Sequence, residues 1–197
     1  MIYIILFGKA TNMSPETLFG IHLVLGYVAW LLCFGAYLWP KLKSMDRLEA
    51  QRSIATLHSF RFFGLVFILP GIVCPNLPAS FAVFAAYGDF ATGVLAILAL
   101  LTIRIRPLFW SFVVAFNLVG ATDIIVDYYH AIQIRLPATA GQLGAAYAIP
   151  IVYVPLLMIT HIAAFYLLVR APSGKQLQAL SNKTEVRIGT RAIHKNL

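Results

Sequence analysis

The chain has 197 residues, 60% of them apolar and only 11% charged, with a mean hydropathy of +0.83. These proportions exclude a water-soluble globular domain and mark an integral membrane protein with one helical bundle. A formal charge of +8 would suit nucleic acid only if the basic residues shared one soluble surface. Here apolar stretches separate them, so no nucleic-acid partner is expected and the lipid bilayer is the surrounding medium.

Met1 to Phe7 is apolar but too short to cross a bilayer, and without a basic leader or a clear cleavage site it is expected to be an interfacial anchor. Five apolar stretches follow: Glu16 to Pro40, Thr56 to Pro75, Ala79 to Ile103, Leu108 to His130 and Ala145 to Val169. Each is about 20 to 25 residues long, enough to cross about 30 Å of hydrocarbon. The expected fold is therefore all-α, a polytopic bundle of five transmembrane helices over residues 1–170 with a basic tail over 171–197 that is expected to be flexible.

The connections set an orientation. Lys41, Lys43, Arg47 and Arg52 fall in the first, Arg104 and Arg106 in the third, and Arg170, Lys175, Lys183, Arg187, Arg191 and Lys195 at the C-terminal end. In a five-span arrangement these share one side, leaving Lys9 and Arg135 on the other. The positive-inside rule then places the N-terminus outside and the tail in the cytoplasm, with a bacterial inner membrane as the expected location. Cys33 and Cys74 fall near the far ends of consecutive antiparallel spans, too far apart for a disulfide. No internal repeat is visible, which argues against an inverted-repeat carrier within one chain.

Polar residues inside these spans are costly in lipid and are candidates for function. The fourth span carries Asn117, Gly120, Asp123, Asp127 and His130 along one stripe. In the third, Ala82, Ala85, Ala86, Asp89, Gly93 and Ala96 recur at helical spacing, a small-residue packing face with one carboxylate in its middle, while Leu95 is expected to face lipid. The first span repeats the pattern with His22, Gly26, Ala29, Cys33 and Ala36. The second sets His58 and Arg61 one turn apart, and the fifth has Pro150 and Pro155 before His161, so freed carbonyls must find partners inside the bundle. Counted from the span ends, His22, Asp123, Asp127 and His130 lie in the outer third, with His58, Arg61, Asn117 and His161 in the inner half. Asp89 is placed to bridge the two regions by pairing with Arg61, the alternative being that Arg61 snorkels to the headgroups.

Three chemistries suit this pattern. Binding of a cofactor, metal or small ligand within the bundle comes first: His22, Asp123, Asp127 and His130 are ligand types for a divalent cation. Imidazoles on four different spans, His22, His130, His58 and His161, would suit b-type haem and electron transfer, with His22 and His130 the better-matched pair. Proton- or cation-coupled transport along Asp127, Asp123 and Asp89 toward Arg61 and His161 is the second, and it calls for a homo-oligomer. The third is a noncatalytic subunit of a membrane complex, its polar groups buried against other membrane subunits. The sequence has no Gly-x-Ser-x-Gly elbow, His-Glu-x-x-His pair or dense His boxes, so enzymatic activity is not the expectation and no catalytic residue is assigned.

Reporter fusions after Lys41, Pro75, Arg106, Gly141 and Leu197 are expected to alternate between cytoplasmic and external activity, beginning inside. An external tail would mean that a span has been miscounted.

Overall fold

The computed structural model describes residues 13–170, which are helical throughout apart from short turns and contain no strand. The expectations for Met1 to Phe7, for Lys9 and for the tail 171–197 lie outside the described residues.

Helix α1 runs Pro15–Ser44 and relaxes into a π-turn over Phe34–Leu38. Its start follows from local chemistry. Ser14 accepts the Thr17 amide at 3.1 Å and Pro15 occupies a first-turn position where no backbone donor is needed. Helix α2, Arg47–His58, is capped the same way, with Asp46 accepting from the Glu49 amide at 2.9 Å. Helices α3 (Ala79–Leu101), α4 (Arg106–Gln133) and α5 (Ile149–Val169) follow, and a loop of 3₁₀ turns, Leu136–Tyr147, joins α4 to α5. Four helices, α1, α3, α4 and α5, are long and apolar enough to cross a membrane.

The expected second span departs from α-geometry. The α-helix ends at His58, and Ser59–Ile68 continue as a 3₁₀ helix before the chain turns. Three residues per turn put every third side chain on one face, whereas an α-helix would rotate that series by about 60° per step. Arg61, Gly64 and Phe67 are accordingly the buried residues of the segment, and His58 continues the series into α2. Phe60, Phe62 and Phe63 point outward. The tighter pitch thus keeps an arginine and a glycine aligned against the same neighbour.

That neighbour is α3, which packs most extensively against the 3₁₀ segment and α4. Its small-residue face is buried as the spacing predicts, from Ala82 through Asp89 to Ala96. Leu95, expected at lipid, instead packs partly against the core, and Ile97 is more exposed. The stripe expected on α1 is only partly inward, since Ala29 and Ala36 are exposed. Larger side chains win the interface because they bury more apolar area: Phe19 and Phe34 are buried, and Tyr27 and Trp30 pack on the core. Gly26 does face inward, beneath the Ile151 carbonyl that Pro155 leaves without its helical donor. Trp30 Nε1 donates to the next carbonyl, Val152 O, at 2.8 Å. Helix α1 therefore covers the backbone that the prolines open in α5.

The two ends of the bundle are tied by backbone groups. Arg47 donates to Leu168 O, and Arg170 to Lys43 O at 3.0 Å, so the end of α1, the start of α2 and the end of α5 meet. At the opposite end Cys74 N donates to Gln142 O at 2.8 Å and Ala145 N to Ile72 O at 3.1 Å. Gly144 is required there, because its φ is +52° and a Cβ would strike Ile72 O. Cys33 and Cys74 are both free thiols.

Buried apolar residues form two clusters, one around Phe34, Ile54, Phe109 and Phe116 and the other around Phe19, Phe67, Phe81 and Leu143. Gly93→Leu is expected to destabilise by about 1–3 kcal/mol, since even a Cβ at Gly93 would lie 2.9 Å from the Phe62 amide nitrogen. Ile97→Ala, on a surface that faces lipid, should change stability by no more than about 0.5 kcal/mol. Thermal denaturation of both variants in detergent checks this, and equal midpoints would refute the face assignment.

Candidate functional site

Between the two apolar clusters lies a buried polar layer contributed by five elements: His58 of α2, Arg61 of the 3₁₀ segment, Asp89 and Thr92 of α3, Asn117 and Asp123 of α4, and Thr160 and His161 of α5. Arg61, fully buried, is its centre. Its Nε donates to Asp89 Oδ1 at 2.6 Å and its Nη2 to Asp123 Oδ2 at 2.6 Å. The third nitrogen, Nη1, donates to Gly120 O at 3.1 Å and lies 3.2 Å from His161 Nε2. The pairing with Asp89 anticipated from helical heights is therefore made, and Arg61 does not snorkel.

Glycines make this closeness possible. A Cβ at Gly64 would occupy the position of the Asp89 carboxylate, one at Gly88 that of Asp123, and one at Gly120 would press on Arg61, His161 and Thr92. Gly88 and Gly64 carried no polar signal in the sequence, yet they set the distance at which the charges meet.

Counting donors and acceptors fixes the histidine tautomers. Arginine can only donate, so His161 Nε2 accepts and its proton sits on Nδ1, which donates to Asn117 Oδ1 at 3.0 Å. The Asn117 amide passes on to Val113 O at 2.8 Å. Thr160 gives its one hydroxyl hydrogen to the backbone of its own helix, Leu156 O at 2.9 Å or Leu157 O at 3.0 Å. His58 Nε2, 3.0 Å from that hydroxyl, must then be the donor. His58 Nδ1 is consequently a bare lone pair, buried and without a partner among the described residues.

Of the imidazoles proposed for haem, His58 and His161 are not placed as an axial pair. His58 and His161 touch, their ring centroids 4.0 Å apart, which leaves no room for a macrocycle between them. The nitrogens of His161 are committed to Arg61 and Asn117. His22 is half-buried on α1 with Nδ1 held 2.9 Å from the Tyr147 hydroxyl, and His130 packs edge-on against Phe84 with centroids 4.9 Å apart. Of the four residues proposed for a divalent ion, Asp123 is drawn into the arginine network while His22 and His130 are engaged with aromatic neighbours. Among the described residues, no group of three or more His, Cys, Asp and Glu is placed to hold a metal ion.

Asp127, one turn beyond Asp123, lies on the wall of a cavity beside the network, and its Oδ1 is buried without a partner. Arg61 and Asp89 share that wall. Tyr128, also on the wall, is held by a 2.8 Å hydroxyl contact with Tyr27 of α1. Thr160 and Gln51 complete the polar layer toward α2, where Gln51 Nε2 donates to Ala164 O at 2.8 Å. The sequence signal for Gln51 was its place seven residues before His58 on the same helical face.

Arg61→Met is expected to destabilise by about 3–5 kcal/mol, because it strands two carboxylates in a buried site. Combining it with Asp89→Asn and Asp123→Asn should recover most of that loss by removing the stranded charge. Unfolding in detergent is the measurement. Equal losses in the single and triple variants would mean that packing, not charge, explains the effect.

Neither a curated protein nor a solved structure matches the chain. Residues 18–169, which include every residue of the polar layer, match the family described as "Domain of unknown function (DUF8737)", and the chain belongs to that family.

Proposed function

We propose that this is a five-crossing membrane protein that binds a small ligand within its bundle. The supporting observation is a cavity of about 200 Å³ that combines apolar walls, among them Phe19, Phe81, Leu143 and Ile149, with Arg61, Asp89 and Asp127. Small-molecule sites have this composition, an apolar lining with a few convergent polar groups that orient the occupant. The volume exceeds the ~150 Å³ that suffices for a benzene-sized molecule. A small organic ligand fits these residues better than haem or a metal ion, since the imidazole nitrogens of His161 are already occupied and the outer histidines stand against aromatic rings.

The crossing number rests on α2 and the 3₁₀ segment acting as one path. Twelve α-helical and ten 3₁₀ residues rise together by about 38 Å, more than the hydrocarbon thickness. The contacts of Arg47 and Arg170 gather them with Lys41 and Lys43 at one end, and this supports a cytoplasmic side there, with the N-terminus outside, in a bacterial inner membrane.

Calorimetry with 1-hexanol on the purified protein tests the cavity. The wild-type chain is expected to bind it, and Ala85→Phe and Ala131→Phe, which fill the space from α3 and α4, are expected to lose that binding. The same response from all three would set the cavity aside as a binding site.

Proton-coupled transport is the second reading, and one observation favours it. Gln51 Oε1, His58 Nδ1, Asp123 Oδ1 and Asp127 Oδ1 are buried polar atoms without partners among the described residues, strung from α2 to the far part of α4. Such atoms are completed from outside the protein, commonly by water, and a file of them suits proton relay. In reconstituted vesicles under a pH gradient, Asp123→Asn should abolish ligand-driven proton uptake. If the wild-type protein gives no such uptake, transport is excluded and binding alone remains.

A further inference from the structure

The charges beside the cavity do not balance. Arg61 supplies one positive charge, and Asp89, Asp123 and Asp127 supply up to three negative ones. Two of these carboxylates are engaged by the guanidinium. Among the described residues Asp127 has no such partner, its Oδ1 being buried and unbonded. A surplus of negative charge in a low-dielectric interior is not sustained, so it must be cancelled either by protons or by an incoming cation.

An anionic ligand is disfavoured on the same grounds. Among the described residues Arg61 is the one basic side chain on the cavity wall, and each of its three nitrogens already has a partner: Asp89, Asp123 and the Gly120 carbonyl with His161. An anion would therefore face carboxylates with little guanidinium hydrogen-bonding capacity left to offset them. The rest of the described wall is largely hydrocarbon and aromatic, with Phe19, Phe67, Phe81, Ile124 and Leu143 among its residues. An occupant that satisfies both parts has one positively charged donor and an apolar body.

Resting on the small-ligand function above, we propose that the cavity takes an organic ammonium ion with an apolar tail, its charged head on Asp127 beside Asp89, in exchange for a proton. The step balances. The ammonium enters with one positive charge, a carboxylic acid of the Asp127 site releases one proton to the aqueous phase, and the net charge of the site is unchanged. The charged groups acting on Asp127 are Asp123 from its own helix, Asp89 from α3 and Arg61 from the 3₁₀ segment. The phenols nearby are Tyr128, bonded to Tyr27 of α1, and Tyr153 of α5, whose hydroxyl is buried without a partner. Because the proton and the ammonium compete for one carboxylate, affinity for the ammonium rises with pH until that carboxylate is ionised without it.

The test uses n-hexylammonium and its neutral isostere 1-hexanol, titrated calorimetrically into the full-length protein in detergent at pH 5 and pH 8. At pH 8 hexylammonium should bind at least about tenfold more tightly than hexanol, and this preference should shrink at pH 5. Repeating the titration at an intermediate pH in buffers of different ionisation enthalpy should reveal proton release with hexylammonium and none with hexanol. Asp127→Asn should collapse the affinity ratio toward one, whereas Asp127→Glu should keep it. Equal affinities for the two probes in the wild-type protein, or a preference that survives Asp127→Asn, would overturn the cation assignment and leave the cavity as a site for neutral molecules. Binding of neither probe would overturn the cavity itself.

Discussion

A guanidinium removed from water is the constraint on which this bundle depends. Burying such a charge without partners costs several kcal/mol, more than most single packing interactions return. Arg61 is fully buried, so its surroundings had to be built to compensate it. Two carboxylates from different helices, a backbone carbonyl and an imidazole converge on its three nitrogens. Each partner comes with its own requirement: glycines that admit the carboxylates, an asparagine that holds the imidazole in one tautomer, and a 3₁₀ segment that aims the arginine at α3. The layer links the 3₁₀ segment, α3, α4 and α5, and it does so between two apolar clusters that by themselves specify helix contact more than helix register.

A network of this kind contributes specificity more than net stability, because desolvation offsets most of the Coulombic gain. In lipid the point is sharper. Helices there gain nothing from hydrophobic exclusion when they associate, so small residues and polar contacts decide which faces meet. The bundle uses both devices on α3, where Asp89 stands in a row of alanines and Gly93 brings the 3₁₀ backbone close. Helix α1 uses a different one. It is the most exposed of the long helices and is joined to α5 through Trp30, on a carbonyl of the π-helical turn Ile149–Tyr153 that opens α5, and through Gly26 beneath the carbonyl to which Pro155 cannot donate.

Much of this is legible in the sequence, for physical reasons that vary by element. Apolar length and basic connections announce a membrane bundle, because hydrocarbon thickness and loop charge are coarse constraints that composition records directly. The α3 face is legible because a row of alanines at helical spacing in an apolar span serves close helix packing above all, and the relative heights of Arg61 and Asp89 allow their pairing without deciding it against snorkelling. Asp123 as the second carboxylate on the same arginine does not follow, since height along a helix says nothing about which way an adjacent helix is turned. On α1 the small-residue spacing misleads, because Phe19 and Trp30 offer more area than Ala29 and Ala36 and so decide the contact. The 3₁₀ pitch is hidden because a ten-residue run is rare, although His58, Arg61, Gly64 and Phe67 do recur at intervals of three.

That pitch makes the segment a length gauge. Ten residues at a rise of ~2.0 Å span about 5 Å more than the same residues wound as an α-helix. Rewinding would also carry Gly64 about 60° around the axis relative to Arg61, so that the two could no longer both face α3. The ion pairs therefore hold the backbone extended as much as the backbone holds the ion pairs. Anything that loosens Arg61 from Asp89 and Asp123 also relaxes the constraint on the height of the Leu69–Pro78 turn, which is bonded through Ile72 and Cys74 to the loop that contributes Leu136, Pro137 and Leu143 to the cavity. The contacts of Arg61 with its carboxylates and the shape of the cavity's rim are in this way two readings of one screw.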